Sequence, residues 1–120
     1  MGYDASVYII YGVPFPYGND EDLQWLVNLM VPDIVEKYGE ENAWHRFDLN
    51  PHTNGYYLID FGAHRILFVS CWWTEHSVTK THGSHLLTLP SKITKKRFLD
   101  WCANNNVDTE SVGFYTVLTE

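Results

Sequence analysis

The run Ile66-Leu-Phe-Val-Ser-Cys-Trp-Trp73 constrains this chain more than any other segment. Its residues are apolar except for Ser70, and they show no alternation that would leave one face in water. A short run of this kind predicts a strand covered on both faces, and therefore an inner strand of a layered sheet. The run passes directly into a polar segment that holds His76, His82 and His85. A central strand ending in titratable side chains is where an α/β-type domain holds a ligand or a reacting group, and it is also simply where a strand ends.

The remaining elements follow in order. Ala5 to Tyr11 is a second apolar strand. Gly12-Val-Pro-Phe-Pro-Tyr-Gly18 reads as irregular, because two prolines and two glycines punctuate seven residues. Asn19 is placed to cap a helix whose first turn carries Asp20, Glu21 and Asp22, where the helix dipole favours acids. Leu23, Leu26, Val27, Met30, Ile34 and Tyr38 recur at helical spacing. The stripe stays in phase across Pro32, which predicts a kinked helix or two nearly coaxial ones, with Gly39 as the stop. Residues 40–55 read as an irregular excursion with one short strand near Ala43 to Phe47. Tyr56 to Phe61 and His64 to Trp73 form a hairpin across a tight Gly62-Ala63 connection. A helix capped by Ser91 or Thr94 runs to about Asn104 and buries Ile93, Phe98, Leu99, Trp101 and Cys102. Asn104-Asn105-Asn106 ends it, since Asn tolerates the left-handed conformation needed there. Gly113 to Leu118 is the last strand.

Strand, helix, strand, strand, helix, strand is the order of the α+β, ferredoxin-like βαββαβ pattern. The expectation is a four-stranded antiparallel sheet with two helices packed on one face. Its first and third strands are central, and here those two are the continuously apolar ones. A chain of 120 residues with 45% hydrophobic content fits a single domain, 1–120. The sequence shows no signal-peptide pattern, and its longest apolar run falls far short of the ~20 residues that span a membrane. Cys71 and Cys102 are too few for a disulfide framework and read as buried free thiols, which fits a reducing, cytoplasmic compartment.

Charge is unevenly spread. Residues 1–60 carry ten acids against Lys37 and Arg46, a balance of −8, whereas residues 61–120 carry five acids and six bases, a balance of +1. A net charge of −7 argues against nucleic-acid binding through phosphates, which needs a basic face. It suits solubility, or a basic protein partner.

Four segments can carry chemistry. His76, His82 and His85 could ligate zinc or exchange protons, with His82-Gly-Ser84 in the local form of a phosphoesterase His-x-Thr/Ser motif. No metal-ligand spacing accompanies them, so neither a metal nor a cofactor is expected. Lys92, Lys95, Lys96 and Arg97 gather half of the eight basic residues at a helix start, where an anion would relieve their conflict with the dipole, and Lys80 lies upstream. Trp72 and Trp73 must point to opposite faces of their strand, so one joins the core while the other joins a second surface. Phe15 and Tyr17 are displayed on a proline-stiffened loop that suits a protein contact. Taken together, the residues predict a small acidic, non-catalytic interaction protein that acts on a protein partner or on itself as a homodimer. A virus- or phage-encoded accessory protein has this character. The alternative is a phosphate-ligand binder or phosphoesterase-type enzyme that uses the histidines and the basic patch.

Overall fold

A computed structural model describes residues 5–44, 55–77 and 89–119. It is an α+β fold whose four-stranded antiparallel sheet is made of β1 (Ser6–Pro16), β2 (Tyr57–Phe61), β3 (Ile66–Ser77) and β4 (Gly113–Thr119), in the order β2-β3-β1-β4. The two inner strands, β1 and β3, are the continuously apolar ones. Contacts divide the chain into two compact units, Met1–Gly12 with Cys71–Glu120, and Val13–Ser70.

β1 departs from the sequence reading. Residues expected to be irregular, Gly12 to Pro16, continue the strand. The parity of the prolines explains this. Tyr17 donates its backbone N–H to the Arg65 carbonyl at 3.0 Å, so odd-numbered amides at this end of β1 turn toward β3. Pro14 and Pro16 therefore turn the other way, where β4 has already ended, because its register with β1 stops at Gly12↔Gly113. A missing N–H costs a strand nothing where no neighbour would accept it.

In the Val13–Ser70 unit, β2 and β3 pair from Tyr57↔Ser70 to Phe61↔Ile66. The connection is the four residues Gly62 to Arg65, longer than the tight Gly62-Ala63 link expected. His64 N–H bonds Phe61 O, and Arg65 takes the left-handed conformation at φ 54°. Leu58, Ile59, Leu67, Phe68, Val69 and Ser70 are all buried. Of the two forms expected from the stripe, one kinked helix or two helices meeting at Pro32, the chain takes the second: a 3-10 turn, Asp20–Leu23, is followed by α1 (Gln24–Met30), α2 (Pro32–Tyr38) and α3 (Glu40–Ala43). Val31 leaves the helical region (φ −130°, ψ 52°), and Pro32 opens α2 at its first position, where a proline lacks only an N–H that would be unbonded anyway. The break ends the buried stripe: Leu23, Leu26, Val27, Met30 and Val31 are buried, but no residue of α2 is. Nor is the excursion at 40–55 irregular at its start, since Gly39, at φ 87°, turns the chain directly into α3. The expected strand near Ala43 to Phe47 begins in that helix and then passes outside the described residues.

In the other unit, α4 (Lys92–Asn104) starts as expected, with Ser91 Oγ accepting the Thr94 N–H at 3.1 Å. It also ends as expected. Asn106 sits at φ 59°, Val107 N–H reaches back to Cys102 O at 2.8 Å, and Val107 is buried. That is the bonding of a Schellman motif, with Asn in the position usually held by glycine. Phe98 and Cys102 are fully buried, whereas Ile93, assigned to the core by spacing, is exposed near the helix start.

Candidate functional site

The Val13–Ser70 unit contains an acidic cleft of about 810 Å³, lined by Gly18, Asn19, Asp20, Glu21, Gln24, Glu40, Glu41, Trp44 and Arg65. Local bonding builds it. The Asp22 carboxylate accepts the backbone N–H groups of Gly18 and Asn19, each at 3.1 Å, and so sets the turn that presents Asp20 and Glu21. Arg65, in the hairpin turn, donates to Gly18 O. Opposite, a relay of side chains ties α1 to α3. Trp44 Nε1 donates to Gln24 Oε1 at 3.1 Å, Gln24 Nε2 to Asn28 Oδ1 at 3.1 Å, and Asn28 Nδ2 to Glu40 Oε1 at 3.3 Å. The relay fixes both amides and ends on a carboxylate, which strengthens each bond along it.

Among the described residues, four carboxylates thus line one cleft with a single cation. No described residue forms an ion pair with Asp20, Glu21 or Glu41. Tyr17, beside the cleft, packs its ring 5.7 Å from that of Trp44 and donates its hydroxyl to Asp60 at 2.8 Å. Burial, that bond and the Asp60 and Asp20 charges push the phenol up to about 12, so it is neutral at all ordinary pH. Phe15 meets Trp25 edge-on at 5.9 Å, and Trp25 is 45% exposed. Phe15 therefore lies on β1 and packs on Trp25, and Tyr17, just after the strand, packs on the buried Trp44.

In the other unit, Trp72 meets Phe114 edge-on at 6.2 Å, while Trp73 stacks on Tyr8 at 6.0 Å. Burial and the nearby Glu75 raise the Tyr8 phenol to about 12. Lys95 lies 5.3 Å from the Tyr11 ring centroid and 5.1 Å from that of Phe114, while Lys92, Lys96 and Arg97 are exposed on α4. His76 is half-buried on β3, with its Nε2 3.4 Å from Thr74 Oγ1. Lys80, His82 and His85 fall outside the described residues, and so does the meeting of the three histidines. Among the described residues no group of His, Cys, Asp and Glu is placed to hold a metal ion. Burial raises the Cys71 thiol to about 11 and the Cys102 thiol to about 12, which suits structural thiols and not nucleophiles.

Sequence reasoning missed the cleft. The only available signal was the excess of acids in residues 1–60, with Asp20-Glu21-Asp22 and Glu40-Glu41 as its densest groups. Compared with protein-family models, curated proteins and solved structures, the chain matches none of them. No described helix is long and apolar enough to cross a membrane.

Proposed function

We propose that this chain works by binding and not by catalysis, and that its acidic cleft takes a basic segment of a protein partner. The observation that carries this reading is the convergence of Asp20, Glu21, Glu40 and Glu41 on one cleft whose described lining includes a single cation, Arg65, that already donates to Gly18 O. Carboxylates arranged so favour Lys and Arg side chains, and they raise the rate of encounter with a cationic partner. The adjoining aromatic surface supports the same reading. Trp25 follows the cleft residue Gln24 in sequence and is open to solvent, and Trp and Tyr commonly anchor protein interfaces. A soluble accessory protein of the reducing cytoplasm, encoded by a virus or phage, fits this character. For the architecture we keep the ferredoxin-like, single-domain reading, supported by the inner positions of β1 and β3 and by their passage through both units.

The test is a tryptophan-fluorescence titration with a short Lys/Arg-rich peptide. Binding should weaken as salt rises. The double variant Glu21→Gln, Glu41→Gln should weaken it by about tenfold while leaving the fold intact, since both side chains are exposed. Equal affinity for an acidic peptide, or no loss in the double variant, would refute the reading.

A further inference from the structure

β4 is an outer strand of the sheet, and no described strand lies along its far side. Gly113–Thr119 contains no charge and no proline, the two devices that usually protect an exposed edge. The direction in which its amides point follows from β1. Odd-numbered amides of β1 turn toward β3, so the even-numbered ones serve β4. Gly12↔Gly113, Ile10↔Tyr115 and Tyr8↔Val117 are then the hydrogen-bonded pairs, and Tyr11↔Phe114, Ile9↔Thr116 and Val7↔Leu118 the non-bonded ones. The Tyr11 and Phe114 rings lie 4.9 Å apart, the close approach that non-bonded pairs give. Phe114, Thr116 and Leu118 therefore turn their N–H and C=O groups outward, and their side chains are also the exposed ones of the strand.

The segment Phe114-Tyr-Thr-Val-Leu118 is symmetric in character about Thr116. We infer that β4 is a homodimerisation edge: a second copy of the chain adds to it antiparallel, with Thr116 facing Thr116 of the copy across a two-fold axis. This goes beyond the cleft reading above and stands on separate residues. In this register Phe114 faces Leu118 of the copy, and Tyr115 faces Val117 of the copy. The three outward residues each exchange both main-chain bonds, giving about six across the axis. Phe114 and Leu118, 47% and 53% exposed, cover one another.

The self-matching, uncharged pattern of the segment favours a second copy as the occupant, and the net charge of −7 on each copy opposes it. The strand is uncharged, so like charges never oppose each other along it. Lys95, already over the Phe114 ring, places a cation at the seam. A seven-residue edge covers less than the ~1,200 Å² of a standard stable interface, so the dimer is weak and concentration-dependent. Raising salt should tighten it by screening the −7 net charge of each copy.

The experiment is sedimentation of the intact chain from about 1 to about 500 µM, with amide hydrogen exchange at both ends of the range. A monomer–dimer equilibrium is expected. The Phe114, Thr116 and Leu118 amides should gain protection with concentration, while those of Tyr115 and Val117 are protected throughout. Thr116→Pro should abolish the dimer without unfolding the chain, because that amide does not serve β1. Thr116→Lys, which sets like charges face to face, should weaken it about fivefold. A monomer at every concentration overturns the proposal, as does a dimer untouched by both substitutions. So does concentration-dependent protection confined to Tyr115 and Val117. If the monomer result appears alongside peptide capture in the cleft, this inference fails while the binding reading stands. A dimer without peptide capture leaves the edge pairing in place and removes the cleft as the binding surface.

Discussion

Ser70 offers a test whose sign is unusual. It lies on β3 opposite Tyr57, it is fully buried, and its hydroxyl has no hydrogen-bond partner among the described residues. A hydroxyl held out of water without a partner costs a fold about 1–3 kcal/mol. Ser70→Ala removes that penalty and changes one heavy atom. The dispersion contacts of that atom are worth a few tenths of a kcal/mol, and the small void it leaves costs a similar amount. The balance is a gain of about 1 kcal/mol, where most buried substitutions destabilise. In urea, with a slope of about 2 kcal/mol/M, the midpoint should rise by about 0.5 M, and the melting temperature by about 4 °C. Val69→Ala is the control. It removes two buried methyl-sized groups one residue away and should lower stability by about 2 kcal/mol. A fall in the urea midpoint for Ser70→Ala, at an unchanged slope, would refute the argument by showing that the hydroxyl is satisfied in solution.

Three further outcomes are expected. The Tyr8 and Tyr17 phenols sit near 12 against an ordinary 10.0, and the thiols near 11 and 12 against 9.0, so the neutral forms favour the folded chain. Their stabilisation is complete below the unfolded values and is lost as pH rises through about 9 to 12, which melting curves and an ultraviolet titration of the tyrosines should both show. At neutral pH, Cys71 should react with a thiol reagent about a hundredfold, and Cys102 about a thousandfold, more slowly in the folded chain than in denaturant, from the fall in thiolate alone. Replacing Asn106 with Ala should cost about 1 kcal/mol in urea unfolding and replacing it with Gly should not, because the left-handed position penalises a Cβ that lacks a local polar partner.

The legible parts of the fold are those written in consecutive residues. The runs from Ser6 and from Ile66 announce inner strands, and the Ser91 cap and the Asn104-Asn105-Asn106 stop are visible because caps are local chemistry. The misreadings share another cause. Pro14 and Pro16 count as breakers in a sequence, but whether a proline breaks a strand depends on which neighbour its absent N–H would have faced. Ile34 and Tyr38 keep helical phase with Leu23, yet the turn at Val31 removes them from the face that Leu23 buries. The cleft was hidden for the same reason. Its carboxylates come from a turn and from a four-residue helix, joined through Gln24, Asn28 and Trp44, and no spacing rule connects position 21 with position 41.

The two prolines of β1 also act as an alignment stop. If β4 slid two residues toward them, its bonding positions would preserve their facing, but Gly113 would come opposite Pro14, which offers a carbonyl and no donor. Such a slip changes no side chain from one face to the other, so burial alone would resist it only weakly. The missing amide supplies the resistance, and the chain gains an end-point for this outer strand from a residue that cannot donate.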